Sequence, residues 1–545
     1  MRDKLNAIFA SAVRVGTFFA LSICLALSLT FVVAHWGIRP LFVLQVKGYF
    51  PLLLLSIAVA AFVIWKLGIN YSRLTISDKF LWWSIRASTS VVALCGLLLI
   101  LVGNGRFQYQ SDSKIILTLV SAETTKSDYL AAFPFQSSLV YLLRVLAHLF
   151  GNGNLLPFYF LNLVALVVSV YFLQKITLNL SSSNQATLFT SLFCLLFSPL
   201  VMYVPMVYGD LIGISLEILS LYFATNYIKL KKKRTLFFMF ISLVGMLWMK
   251  SSLLLVVVGL VIFGIFQFLK RGKFELLLLG LLVLLSFELI NSSFVARFDS
   301  ENQIVRTQKV PALTWLAMGL QSGTYSSRQN NIDDVTSEKS LDDVKLVPGA
   351  WNGFTGAFSD AGAVSKEMDV FVAQNYASSA LAKSIKTFVK HPYFAVRFFA
   401  LKLAYQWGDS SFWANNVGEN DKAVIGPYVY LPLTGRATDF MFKTFGMAWV
   451  LRVGIDKVLS VIIYLFALVG LILEIRQKRM QQTEMDELKL LLHLLFLGGF
   501  IFYAFWESGG RMALPFYLLL FPLSSIGLHE FFEMCQRKRR LGRQK

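Results

Sequence analysis

Residues 104–113 read Asn-Gly-Arg-Phe-Gln-Tyr-Gln-Ser-Asp-Ser, and residues 133–150 read Phe-Pro-Phe-Gln-Ser-Ser-Leu-Val-Tyr-Leu-Leu-Arg-Val-Leu-Ala-His-Leu-Phe. The first piece follows the apolar run Ser88–Gly103 and sets a carboxylate, Asp112, a few residues beyond it. The second ends in an apolar segment, Ser137–Phe150, that falls short of the roughly twenty residues a bilayer-crossing helix needs. Whether this segment crosses the membrane or lies on it fixes the side on which every later residue stands.

Bulk composition supplies the frame. The chain has 545 residues, of which 56% are hydrophobic and only 15% charged, so lipid is the solvent for most of it. The apolar runs are continuous rather than alternating, which excludes a membrane β-barrel. The net charge of +20 is carried by short runs between apolar stretches: Arg2 and Lys4, Lys231 to Arg234, Lys270 and Arg271, Arg476 to Arg479, and Arg537 to Arg540. That placement is the positive-inside pattern of a membrane protein and argues against a nucleic-acid partner. The four cysteines and five histidines are dispersed, with no zinc-ligand spacing. Val15–Trp36 is too long for a cleaved signal and is expected to remain as a first span.

Charge then decides the topology. With the N-terminus inside, spans Val15–Trp36, Phe50–Leu67 and Ser88–Gly103 place Asp112 outside. If Ser137–Phe150, Pro157–Gln174, Ala186–Pro205 and Leu211–Ile228 all crossed, the tetrabasic run Lys231–Arg234 would land outside. Treating Ser137–Phe150 as an interfacial helix removes the conflict. It carries Arg144 and His148 and lines Leu139, Leu142, Leu143, Leu146 and Leu149 along one stripe. Spans Thr235–Met249, Leu253–Leu269, Phe274–Asn291, Lys457–Leu473, Leu488–Trp506 and Met512–Phe532 complete the set. The expectation is an all-α integral membrane protein of about 12 helices, with both termini cytoplasmic in a plasma membrane. It divides into 1–291, holding a first outer loop at 104–156; a mixed extracytoplasmic domain at 292–456; and 457–545.

Parity also puts Asp112 and Asp210 on the same outer face, each within a few residues of a helix end. Ionisable groups there are costly unless partnered or functional. Each aspartate also has a structural alternative as a helix cap. As a pair they suit group transfer, in which one carboxylate takes the proton of an attacking hydroxyl while nearby cations stabilise a departing phosphate. Arg106, Lys250 and Arg511 lie at the same level as candidate phosphate contacts, with headgroup snorkelling or a local Glu507–Arg511 pair as the alternatives. Trp351, Trp407, Asp409 and Trp413 are candidate sugar contacts, since tryptophan faces stack on sugar rings and carboxylates bind hydroxyls. Burial in a core or at the bilayer interface is the other reading of the tryptophans.

The order of these features carries a resemblance. An outer aspartate (Asp112) precedes an interfacial helix introduced by Tyr129-Leu-Ala-Ala-Phe-Pro-Phe-Gln136; a second aspartate follows in Tyr208-Gly209-Asp210; Gly245-Met-Leu-Trp-Met-Lys250 ends a span; and Glu507 to Pro515 closes the set. This resembles the GT-C superfamily of polyprenyl-phosphate-sugar-dependent glycosyltransferases, which includes protein O-mannosyltransferases and lipid A aminoarabinose transferases. The likeness is greatest to uncharacterised multispan proteins of Gram-positive bacteria.

The resemblance implies a GT-C-like fold with Asp112 as catalytic base and Asp210 as second acid. It also implies Arg511 and Lys250 on the lipid phosphate, and Gln136 and Tyr208 among the acceptor or sugar contacts. Ser113 stands where the family has a second acid and Met512 where it often has tyrosine. A divalent metal ion, if one is used, would fall to Asp112 and Asp210. The expected partners are a polyprenyl-phosphate-sugar donor, a cell-surface acceptor (cell-wall polysaccharide, teichoic acid or glycolipid) and membrane lipids. The alternatives are a lipid-linked-sugar flippase or polysaccharide exporter, and a glycan-binding scaffold.

Overall fold

The structure is a computed structural model. It describes the chain apart from residues 1, 35–36, most of 41–74, 122–128, 131–132, 303–309, 322–347, 350–369, 414–415, 418–421, 427–428, 433–435, 477–483 and 544–545.

Helix dominates, because backbone N–H and C=O groups in lipid have no partners except one another. In chain order, α1 (Arg2–Thr30) is followed by a hairpin of β1 (Phe31–Ala34) and β2 (Gly37–Pro40), then by α2 (Asp78–Gly103). After β3 (Gln108–Tyr109) come α3 (Ser111–Ser121), α4 (Ser137–Phe150), α5 (Leu156–Ser181), α6 (Asn184–Leu196) and α7 (Ser198–Met202). Next are α8 (Asp210–Leu230), α9 (Arg234–Met249), α10 (Leu254–Arg271), α11 (Glu275–Asn302) and α12 (Ala312–Gly319). The chain continues with α13 (Val370–Lys390), α14 (Pro392–Trp407), β4 (Asn416–Val417), β5 (Lys422–Gly426) and β6 (Val429–Pro432). It closes with α15 (Arg436–Arg476), α16 (Glu484–Phe505), α17 (Gly510–Leu518) and α18 (Leu520–Arg543).

Among the described residues, eight helices are long and apolar enough to cross a membrane, and α17 with α18, bent by 50° at their junction, makes up to nine. The chain is thus a helical multi-pass membrane protein. Of the twelve expected spans, Phe50–Leu67 lies for the most part outside the described residues. Thr235–Met249 is the shorter apolar helix α9. Ala186–Pro205 is not one helix: α6 ends at Leu196 and α7 restarts with Pro199 in its first turn. Proline has no N–H to continue the ladder, so the break falls there. The irregular stretch that follows is held to α5 by the Asn162 side-chain amide, which donates to the Val204 and Met206 carbonyls at 2.9 and 3.0 Å. Met512–Phe532 likewise corresponds to the bent pair, with Pro515 inside α17.

The segment from 104 to 150 shows how the site end is built. Helix α4 has 14 residues, about 21 Å of rise against about 30 Å of hydrocarbon. Leu139 and Leu143 are buried and Leu142 and Leu146 pack on the core, while Leu149 at the far end of the stripe is exposed. Strand β3 pairs antiparallel with β6, Gln108 opposite Tyr430 and Tyr109 opposite Val429, extending a sheet of order β3-β6-β5-β4. The first loop and the later polar segment therefore form one structure. The expected boundaries at 291 and 456 fall inside α11 and α15, and Tyr405, Trp407, Phe412 and Val429 share one core with the spans.

Basic clusters and paired aspartates occupy opposite ends of the bundle. At the start of α16, Glu487 accepts from Gln267 (2.6 Å), Lys270 (2.8 Å) and Arg271 (2.6 Å), all at the end of α10. The other end of α16 leads through Trp506 and Glu507 into the site. Between α15 and α18, a Cβ on Gly527 would overlap the Phe466 carbonyl oxygen and lie 2.9 Å from Gly470 Cα. This is the close backbone approach that small residues allow between helices in a membrane.

Candidate active site

The site is assembled around the start of α8. Gly209 precedes Asp210, and a Cβ on Gly209 would overlap the Met249 carbonyl oxygen. One turn further on, a Cβ on Gly213 would lie 2.9 Å from Lys250 Cβ. These two glycines on one helix face let the turn after α9 sit directly on α8. Lys250, buried at 7% exposure, then reaches Asp210, buried at 1%, in a direct ion pair. Burial lowers the proton affinity of the Lys250 ammonium; Asp210 opposes that effect and Arg511 adds to it.

Asp112 faces the same cluster from the first turn of α3. The preceding residue, Ser111, has φ of 49°, a left-handed conformation that a non-glycine residue adopts at some cost. Ser113 donates to the Val207 carbonyl at 3.0 Å and ties α3 to the Tyr208-Gly209-Asp210 turn. Asp112 is half-buried, and burial raises its pKa. Arg511 and hydrogen bonds from the Tyr129 and Tyr208 phenols oppose this, while the neighbouring Asp210 charge adds to it. The Gln136 amide in turn donates to the Tyr208 hydroxyl. Gln136, Tyr208 and Asp112 thus form a chain that fixes the direction of the carboxylate.

Arg511 lies with its guanidinium 4.7 Å from the centre of the Tyr208 ring and 5.9 Å from that of Trp413. Lys250 stands 5.8 Å from the Tyr208 ring. Both cations therefore border one aromatic ring, an arrangement favoured by the ring quadrupole. Glu507 completes the acids: burial pushes its carboxyl up to about 7 and Asp112 adds to this, while Arg511, Lys250 and Lys402 pull it down.

Lys402 was not legible as a site residue. Fully buried in α14, it donates to the carbonyls of Gly319 and Trp506, the latter at 2.6 Å, and so anchors the loop that carries Glu507. Gln406, one turn on, donates to the carbonyls of Tyr503 (3.0 Å) and Glu507 (3.2 Å). Burial holds the Lys402 ammonium well below its usual proton affinity, opposed by Glu507.

Several expected site residues lie elsewhere. Arg106 is exposed in the turn before β3 and takes no part in the ion pairs of this cluster among the described residues. Trp407 is 1% exposed and packed on Phe496 and Phe500 at ring-centre distances of 5.3 and 5.7 Å, so it presents no face to a sugar. Asp409 is buried and accepts from the Ser411 N–H (2.9 Å), the Ser411 hydroxyl (2.6 Å) and the Trp413 N–H (3.0 Å). It holds a turn in which Phe412 and Trp413 both have positive φ. Trp413 itself borders the site, against Gly509 and near Arg511. Trp351 lies outside the described residues.

The donor set does not fit a divalent metal ion. No group of three or more His, Cys, Asp or Glu side chains at metal-binding spacing occurs among the described residues. One Asp210 oxygen is taken by the Lys250 ammonium, which supplies the positive charge there. What the arrangement offers instead is a half-exposed, oriented carboxylate beside two cations suited to an anionic oxygen.

No protein-family model matches the chain, and no match is found among curated proteins or solved structures.

Proposed function

We propose that this multi-pass protein is a membrane glycosyltransferase, moving a monosaccharide from a polyprenyl-phosphate donor to a cell-surface glycan or glycolipid. The observation that supports this reading is the convergence of Asp112, held by Tyr129 and Tyr208, with Lys250 and Arg511 at the end of the bundle away from the basic clusters. By the positive-inside rule that end faces out of the cytoplasm.

In the proposed reaction an acceptor hydroxyl attacks the anomeric carbon from the face opposite the phosphate. Its proton passes to the Asp112 carboxylate. The bond from the anomeric carbon to the phosphate oxygen breaks, and the electron pair leaves with the polyprenyl phosphate. Arg511 and Lys250 stabilise the charge that grows on that phosphate. Asp210 holds Lys250 in place, and the configuration at the anomeric carbon inverts.

The test is transfer by purified, reconstituted protein supplied with a polyprenyl-phosphate sugar. Asp112→Asn is expected to lose transfer while inserting and unfolding like the parent, and wild-type rates in this variant sink the assignment. Transbilayer movement of the donor without cleavage of its sugar–phosphate bond favours the flippase instead. Cysteine labelling checks the orientation: position 118 is expected to react from outside and position 232 from the cytoplasm only.

A further inference from the structure

From Val370 to Gly408 the chain contains Lys383, Lys386, Lys390, Arg397 and Lys402, and no acidic residue. Of these, Lys402 is buried in the site, and Lys386 and Lys390 are exposed. The elbow between α13 and α14 also exposes large apolar side chains: Ile385 at 49%, Val389 at 78%, Tyr393 at 78% and Val396 at 69%. Ile385 and Val389 are one helical turn apart, and so are Lys386 and Lys390. The apolar and cationic stripes therefore run side by side. The opposite face of α13 is buried through Ala377, Ala380 and Ser384. Phe388 packs on Phe394 and Phe398, at ring-centre distances of 5.8 and 5.0 Å, and sets the angle at His391-Pro392.

The level of this elbow is fixed by what α14 touches. It lies against α1, the β1–β2 hairpin, α16 and α17. Phe399 meets Phe505, the last residue of α16, at 5.9 Å between ring centres. Helix α14 thus runs across the ends of membrane-spanning helices, and its first turns carry the exposed residues out from the bundle. Phe505 itself is 47% exposed at that level. Lysine beside exposed aliphatic and tyrosine side chains at the edge of a bilayer is the composition of a surface-lying membrane contact.

We infer that the α13–α14 elbow rests on the membrane leaflet at the site end, with Val389, Tyr393 and Val396 in the headgroup–acyl boundary and Lys386 and Lys390 on anionic lipid headgroups. A soluble polyanion would account for the lysines but not for the apolar stripe beside them. The inference rests on the outward placement of the site end and is independent of glycosyl transfer.

The experiment uses the full chain with exposed Cys95 and half-buried Cys535 replaced by serine, buried Cys24 and Cys194 retained, and Val389→Cys carrying an environment-sensitive fluorophore. The protein is placed in nanodiscs of phosphatidylcholine alone or mixed with phosphatidylglycerol, each with a trace of lipid spin-labelled near the headgroup. The label is expected to be quenched by the spin-labelled lipid, more strongly in the anionic mixture. Lys386→Gln with Lys390→Gln should abolish the difference between the mixtures. A label at Ile501, exposed on the α16 span, serves as the reference quenched equally in both. An unquenched label at 389 overturns the proposal, as does quenching indifferent to both lipid charge and the lysine substitutions. So does release of the label from quencher by soluble polyglycerol phosphate, which would make the elbow a polymer-binding surface.

Discussion

Lys250 and Asp210, separated by 40 positions, form an ion pair almost wholly removed from water, in a space that Gly209 and Gly213 leave open. Removing two charges from water costs several kcal/mol per ion, and their attraction offsets this only while both are present. The second Asp210 oxygen has no hydrogen-bond partner among the described residues. Lys250→Met and Asp210→Leu should therefore each destabilise the protein by about 3–5 kcal/mol, and the double variant by clearly less than their sum. Thermal unfolding in one detergent, read as a double-mutant cycle, checks this. Additive losses would show that the two residues act separately.

Close backbone approach gives a second contrast. An added methyl at Gly209 meets the Met249 carbonyl and at Gly527 meets the Phe466 carbonyl, so each alanine variant forces a backbone shift worth about 1–3 kcal/mol. Gly209 stands between Tyr208 and Asp210, whereas Gly527 lies in the packing of α18 against α15. Gly209→Ala should lower both unfolding temperature and activity, while Gly527→Ala should lower the unfolding temperature and leave KM for the donor unchanged. Equal kinetic damage from both would mean that the site responds to general loosening of the bundle.

The difference between these glycines marks how far the sequence could be read. Charge parity assigns Asp112 and Asp210 to one side from local runs of lysine and arginine, and the two carboxylates stand in one charged cluster. The length of Ser137–Phe150 was equally local, and α4 has those bounds. Trp407, Asp409 and Lys402 were not readable in this way. Side-chain chemistry is the same whether a tryptophan meets sugar or Phe496, and Lys402 takes its role from carbonyls 83 and 104 positions away. The break at Phe197 was local and visible in Ser198-Pro199, yet the continuous apolar run masked it. Gly213 carried a signal too: with Gly209 it repeats small residues at a four-residue spacing, the spacing by which one helix admits another chain closely.

Proton transfer should report on the phenols that hold Asp112. Burial raises the pKa of this carboxyl, and the chief opposing influences are Arg511, Tyr129 and Tyr208. A base works only when ionised, so kcat is expected to fall as pH drops through the raised pKa. Tyr129→Phe deletes a hydrogen bond to the charged form and leaves both phosphate cations in place. Its acid limb should move to higher pH with KM for the donor little changed. A limb that stays in place would place the titrating base elsewhere.

Glu507 makes the opposite prediction for binding. Its carboxyl titrates at about 7, so the cluster around Arg511 and Lys250 gains a negative charge as pH rises through neutrality. That charge competes with the donor phosphate for the same cations. KM for a polyprenyl-phosphate sugar should therefore rise above pH 7, by roughly fivefold for each 1 kcal/mol of lost attraction. Glu507→Gln keeps the shape of the side chain and removes the ionisation. Its KM should stay flat across the same interval and match that of the parent at lower pH. A parent whose KM does not vary between pH 6 and 8 would place the donor phosphate away from Arg511, and a Glu507→Gln variant that retains the rise would trace it to another group.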